Sequence, residues 1–186
     1  MKSSIEINIQ SGDKYFYIEQ LITDTVFTGF SCTIKEYNDY LFNDALRSQK
    51  DHIALTWLLR ERETNTIYSY MSLIADAIKL SANEKELHSL NYPFKTIPAI
   101  KIAKLAVSQS TQGKYKGLGT YMINTAASFA LICNQQLLAA RFLTVDADIE
   151  HDEGVLAFYQ KNGFIPNAEL YNKNRKTISM RKDIFQ

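Results

Sequence analysis

The sequence predicts an α/β fold, a mixed sheet with helices on both faces, and three observations predict it. Residues Ile100 to Cys133 read as a strand, a loop with three glycines and a long helix. Two apolar runs, Ala54 to Arg60 and Thr66 to Ile74, flank the polar stretch Glu61-Arg62-Glu63-Thr64-Asn65 and read as paired antiparallel strands. After the long helix come an alternating segment, Leu137 to Val145, then a short helix and closing strands. With 186 residues and 46% hydrophobic content, the chain suits a single domain over 1–186 with room for a sizeable core.

At the N-terminus Ile5, Ile7 and Ile9 alternate with polar residues and predict a strand; Tyr15 to Leu21 reads equally as strand or helix. Phe27 to Thr33, with Gly29 and the small Ser31-Cys32-Thr33, predicts a turn into a helix. Tyr37, Tyr40, Leu41, Phe42, Ala45 and Leu46 give that helix its apolar face, up to about Gln49. Between Ala75 and Ile97 a short helix is expected over Asn83 to Ser89, and Tyr92-Pro93 with Pro98 marks an extended approach to the next strand. The segment shows no repeat and reads as a variable insertion.

In the strand from Ile100 to Val107, Ile100, Ile102, Lys104 and Ala106 share one face, and Lys101, Ala103, Leu105 and Val107 the other. Gly113, Gly117 and Gly119 end it, and from Leu118 the residues Met122, Ile123, Ala126, Ala127, Phe129, Ala130 and Cys133 recur at helical steps. Further on, Asp152 is the expected N-cap of a helix carrying Val155, Leu156, Phe158 and Tyr159 and stopping at Asn162-Gly163. Phe164-Ile165-Pro166 and Thr177 to Met180 read as the last strands.

A net charge of +1 argues against a surface wholly dedicated to nucleic acid and leaves room for a local patch. Cys32 and Cys133 have no metal-ligand spacing and read as reduced, buried thiols; three isolated histidines add no metal site. The start, Met-Lys-Ser-Ser-Ile-Glu, lacks the apolar core of a signal peptide, and no apolar run reaches the length of a membrane span, so a cytoplasmic protein is expected.

The start of the long helix presents unpaired N–H groups and a positive dipole end, which suit a phosphate or pyrophosphate, with Lys114 and Lys116 adding charge. The spacing Gly-x-x-x-Gly-x-Gly is neither the dinucleotide fingerprint nor a Walker loop. Lys114-Tyr115-Lys116-Gly117-Leu118-Gly119, preceded by Leu-Ala-Val, resembles the Gln/Arg-x-x-Gly-x-Gly/Ala loop of the GNAT acyltransferases, with Lys114 in place of Gln or Arg. A second segment, Phe158-Tyr159-Gln160-Lys161-Asn162-Gly163-Phe164, is similar to the Phe-Tyr-x-x-x-Gly-Phe that GNAT enzymes carry about forty residues after that loop.

This resemblance implies a GNAT-like, mostly antiparallel sheet with splayed central strands, and an N-acetyltransferase that uses acetyl-CoA as acetyl donor. Backbone groups of Leu105, Ala106 and Val107 would hold the pantetheine arm and polarise the thioester carbonyl. Amides from Gln112 through Gly113, Lys114, Tyr115, Lys116, Gly117, Leu118 and Gly119 to Thr120 would hold the pyrophosphate. Tyr159 matches the family's general acid, which protonates the leaving thiolate. The central strand has Lys101 and Lys104 where many members place a carboxylate base; an α-amine, with a pKa of about 8, needs none.

Shorter pieces resemble the GNAT toxins of toxin-antitoxin systems: Phe30-Ser31-Cys32, Asp39-Tyr40-Leu41 with Arg47, Tyr68-Ser69-Tyr70-Met71-Ser72-Leu73, Ile97-Pro98-Ala99-Ile100 and Lys104-Leu105-Ala106-Val107. That likeness implies the α-amine of aminoacyl-tRNA as acceptor and an antitoxin as partner; it leaves the oligomeric state open, a homodimer included. Asp146, Asp148, Glu150, Asp152 and Glu153 read either as a solvated loop or as a surface that attracts a cationic amine. A small polyamine-like or peptide amine is therefore an alternative acceptor, and a non-catalytic acyl-CoA-binding or interaction module a third reading.

Overall fold

The computed structural model describes residues 5–6, 9–111, 114–167 and 176–186. In chain order the elements are β1 (Ile5–Glu6), α1 (Ile9–Tyr15), β2 (Phe16–Gln20) and α2 (Lys35–Asp39), which runs through one π turn (Tyr40–Asp44) into α3 (Ala45–Lys50). There follow β3 (Leu55–Glu61), β4 (Ile67–Ile78), α4 (Ala82–Leu87), β5 (Ile97–Val107), a 3₁₀ turn (Gln109–Thr111), β6 (Tyr115–Lys116) and α5 (Leu118–Gln136). The chain closes with β7 (Phe142–Asp148), α6 (Val155–Lys161), β8 (Ile165–Pro166) and β9 (Thr177–Asp183). Seven strands form one mixed, mostly antiparallel sheet in the order β2-β3-β4-β5-β7-β9-β8, and β1 pairs in parallel with β6. The β5–β7 ladder is parallel and runs from Ala99↔Phe142 to Ile102↔Val145, while β5 continues to Val107 and β7 to Asp148.

The chain divides into two compact units, 1–74 with 103–126 and 75–102 with 127–186. It passes between them at three points, each inside a regular element: β4, β5 and α5. The core of the first unit gathers Leu21, Phe30, Leu41, Ala45, Leu58, Ile67, Tyr70 and Ala106. At the Leu59/Arg60 step the β3–β4 register slips, Leu59 facing Ser69 and Arg60 facing Ile67, so Tyr68 is an extra residue on β4. Such a bulge re-aims a side chain. The isoleucine alternation gives a strand only at Ile5–Glu6; Ile9 opens α1, and residues 7 and 8 lie outside the described residues. Packing fixes α1 in place: a Cβ on Gly12 would lie 2.2 Å from the ring of Tyr121, so only glycine admits this approach.

The second unit packs Ile78, Leu80, Ile97, Ala99 and Phe142 together. Residues 75–78 complete β4 rather than beginning an insertion, and α4 starts with a full capping box between Ser81 and Glu84. Glu84 also reaches buried Arg181 at 2.6 Å, while Arg181 Nε donates to His88 Nε2 at 3.1 Å and His88 Nδ1 donates to Asp183 at 3.0 Å. This network ties α4 to β9, the last strand of the chain. The strand expected from Leu137 begins only at Phe142: Leu137 and Leu138 are 80% and 61% exposed, in the turn that follows α5. Among the described residues no helix is long and apolar enough to cross a membrane.

Candidate functional site

In the first unit the last residues of β5 lead into the glycine loop. The buried Ser69 hydroxyl donates to the Ala106 carbonyl at 2.7 Å, which fixes the Leu105-Ala106-Val107 segment from the side of β4. Ser108, also buried, takes its amide to the Tyr68 carbonyl at 2.8 Å, and the Gln109 amide bonds the Ser31 carbonyl at 2.7 Å. The loop is thus stitched to β4 and to the turn before α2. Gln112 and Gly113 lie outside the described residues. Gly117 has φ +85°, a left-handed conformation that favours glycine, and its carbonyl accepts the Tyr121 amide at 2.8 Å to open α5. The first amides of α5, from Leu118 to Thr120, therefore have no acceptor within the helix.

Beneath the loop lies a carboxylate that the sequence alone places in a polar turn. Glu61, at the end of β3, is 3% exposed. Its Oε1 accepts from Lys114 Nζ at 2.6 Å and the Tyr115 hydroxyl at 2.7 Å; its Oε2 accepts from the Thr64 hydroxyl at 2.6 Å and the Tyr68 hydroxyl at 3.3 Å. Phe16, Tyr68 and Tyr115 wall the group, with ring centroids 4.9 to 5.7 Å apart. Burial pushes the Glu61 carboxyl up, but hydrogen bonds from Lys114, Thr64 and Tyr115 and the Lys114 charge outweigh it, bringing the pKa from the ordinary 4.5 to about 2. The hydrogen bond to Glu61 likewise raises the Lys114 pKa.

A depressed carboxyl pKa stabilises the fold above its unfolded value, and that contribution is lost as pH falls through the folded value. Comparing the protein with Glu61→Gln by thermal unfolding, the stability difference should be constant near neutrality and shrink as pH falls from 4.5 to about 2. A difference that stays flat through this window would show that Glu61 is not held as a carboxylate.

Two of the four lysines on β5 and the loop are neutralised internally. Lys114 pairs with Glu61, and Lys101 pairs with Asp146 at 2.5 Å in the second unit. Lys104 instead lies over the rings of Tyr37 and Tyr40, 4.7 and 5.8 Å from their centroids. Among the described residues no carboxylate pairs with Lys104 or with exposed Lys116.

In the second unit Tyr159 is buried on α6, its ring 5.1 Å from Phe158 and 5.3 Å from Phe164. Its carbonyl accepts the amides of Asn162 and Phe164, both at 3.0 Å, so the helix stop at Asn162-Gly163 fixes the tyrosine backbone. The N-cap of α6 is Gly154, not Asp152; the Asp152 carboxylate accepts the Gly154 amide at 2.8 Å in the turn before it. The acidic run is no uniform loop, since Asp146 and Asp148 belong to β7. Asp148 bonds His151 at 2.9 Å and Glu150 pairs with Lys176 at 2.8 Å. Asp148, Glu150 and His151 bring potential metal-ligating atoms within 4.8 Å of one another, and these internal bonds already use them.

No protein-family model matches the chain, and no curated protein matches it significantly. Solved structures do match. A mutant of KacT aligns with a TM-score of 0.72 at 19% identity, covering 90% of this chain and 95% of that one. AtaT complexed with acetyl-methionyl-tRNAfMet aligns at 0.69 and 22%, covering 88% and 93%. A mutant AtaT toxin bound to the C-terminus of the antitoxin AtaR and acetyl-CoA aligns at 0.66 and 21%, covering 89% and 92%. KacT and AtaT are GNAT toxins of toxin-antitoxin systems, and this chain has their fold.

Proposed function

We propose that the chain is a single acetyl-CoA-dependent N-acetyltransferase domain over 1–186 and that its acceptor is the α-amine of aminoacyl-tRNA. The observation that carries this reading is the run from β5 through left-handed Gly117 into the open amides of α5, in a fold shared with acetyl-CoA-bound AtaT. These residues fit a pyrophosphate: Gly117 lets the backbone turn its amides outward, α5 adds its dipole, and exposed Lys116 supplies a charge no described carboxylate cancels.

Acetyl-CoA would supply an activated acyl carbon and a thiolate leaving group. Residues Gly117 to Thr120 would hold its pyrophosphate, and the backbone of Leu105, Ala106 and Val107 its arm and carbonyl oxygen. Tyr159 would donate a proton to the leaving sulfur as the acceptor nitrogen bonds to the acyl carbon. With Lys101 and Lys104 on the central strand, deprotonation is left to the acceptor's own low pKa, which favours an α-amine over the more basic amines of a polyamine.

The charge distribution supports the same acceptor. Asp146, Asp148 and Glu150 each have a cationic or imidazole partner, which weakens the acidic surface a polyamine would need, whereas no described carboxylate pairs with Lys104, whose charge is left to a phosphate backbone. Such an acceptor implies a cytoplasmic reaction, and the likeness to antitoxin-bound AtaT supports an antitoxin partner. The test is incubation with acetyl-CoA and total charged tRNA at several salt concentrations. Acetylated amino acid on tRNA, falling steeply with salt, is expected. Rapid turnover of spermidine without modified tRNA would select the polyamine reading, and acetyl-CoA binding without any transfer would select a non-catalytic module.

A further inference from the structure

We infer that Glu61 is the positioning residue of the glycine loop: it fixes the loop from below through Lys114 and Tyr115 and thereby sets the affinity for the pyrophosphate of acetyl-CoA. This rests on the reading of the loop as the acetyl-CoA site. A buried negative charge directly under a loop that binds an anion opposes binding by its charge alone. Its arrangement points to a geometric role instead. Each carboxylate oxygen accepts two hydrogen bonds, one oxygen from the loop residues Lys114 and Tyr115, the other from Thr64 and Tyr68 of the β3–β4 hairpin. Glu61 itself sits on a strand held on both sides, against Phe16 of β2 and beside the bulge at Tyr68.

The rigid sheet is thereby bonded to the two residues that precede Lys116 and left-handed Gly117. Lys114 directs its charge inward, onto a carboxylate that lies 53 residues earlier in the sequence. Anion binding then falls on the backbone amides and Lys116, and amides bind only if the turn is pre-shaped. The internal ion pair supplies that shape.

Calorimetric titration with CoA alone, with no acceptor present, tests this. Glu61→Gln, which cannot accept all four hydrogen bonds, should weaken CoA binding by about tenfold or more, while kcat at saturating acetyl-CoA stays within about twofold. Lys114→Gln, at a half-exposed side chain that threatens the fold less, should weaken it similarly. The double variant should be little worse than either single one, because both remove the same constraint. Lys114→Arg, which keeps the ion pair, should bind nearly as the unaltered protein does. Unchanged CoA affinity in Lys114→Gln, or losses that simply add in the double variant, would overturn the inference. No binding by the unaltered protein would instead overturn the reading of the loop, and this inference with it.

Discussion

Gly117→Glu should abolish acetyl-CoA binding while leaving the protein folded. The position has φ +85°, where a non-glycine residue costs about 1–2 kcal/mol, a small part of a domain's stability. The new carboxylate would stand at the open amides of α5, occupying the anion position with a charge of the same sign as the pyrophosphate. Both effects act on binding, and only the first acts on folding. Gly117→Ala, which adds the strain without the charge, should fall between the two. Equal acetyl-CoA affinity for the Glu variant and the unaltered protein in calorimetry would place the cofactor elsewhere.

Tyr159→Phe should lower turnover by roughly ten- to ten-thousandfold with little change in acetyl-CoA affinity, because only protonation of the leaving sulfur is removed. The substitution keeps the ring packing: the ring lies edge-on against Phe158 and Phe164, contacts a phenylalanine retains, and the backbone of position 159 is held by the amides of Asn162 and Phe164. A fall in kcat with an unchanged thermal midpoint therefore reads as loss of the hydroxyl and not of the helix. Full activity in the variant would assign the proton to water or a neighbouring hydroxyl.

Much of the fold is legible from local signals. Leu118 to Gln136 is helical because its apolar spacing extends over many turns, and β3 and β4 are recognised by apolar runs about a polar hairpin. The errors fall where distant packing decides. Leu137 and Leu138 carry the chemistry of a strand, yet strand pairing starts at Phe142, opposite Asp183. Ile9 has the right phase for β1 but belongs to a helix that packs through Gly12 onto Tyr121. Asp152 is a good capping residue, placed two residues too early.

Of the candidate site, the glycine positions and Tyr159 are visible because each sits in a short contiguous pattern. Glu61 is not. It stands among Arg62, Glu63 and Thr64 and looks like part of a solvated turn, whereas its burial follows from a bulge across the sheet and from partners at Lys114 and Tyr115. The signal was a carboxylate closing an apolar strand, and without its partners in view that signal has no direction.

Because the chain crosses between its two units inside β4, β5 and α5, neither unit corresponds to a contiguous stretch of translated sequence. During synthesis the first unit cannot be completed until Ala126 has left the ribosome, and the second waits for β9, near the last residue. Glu61 emerges well ahead of the lysine that neutralises it, so a nascent chain cut between the two holds a carboxylate without its cationic partner. Products truncated between Glu61 and Lys114 are thus left without the turn at Gly117 and with an unfinished sheet.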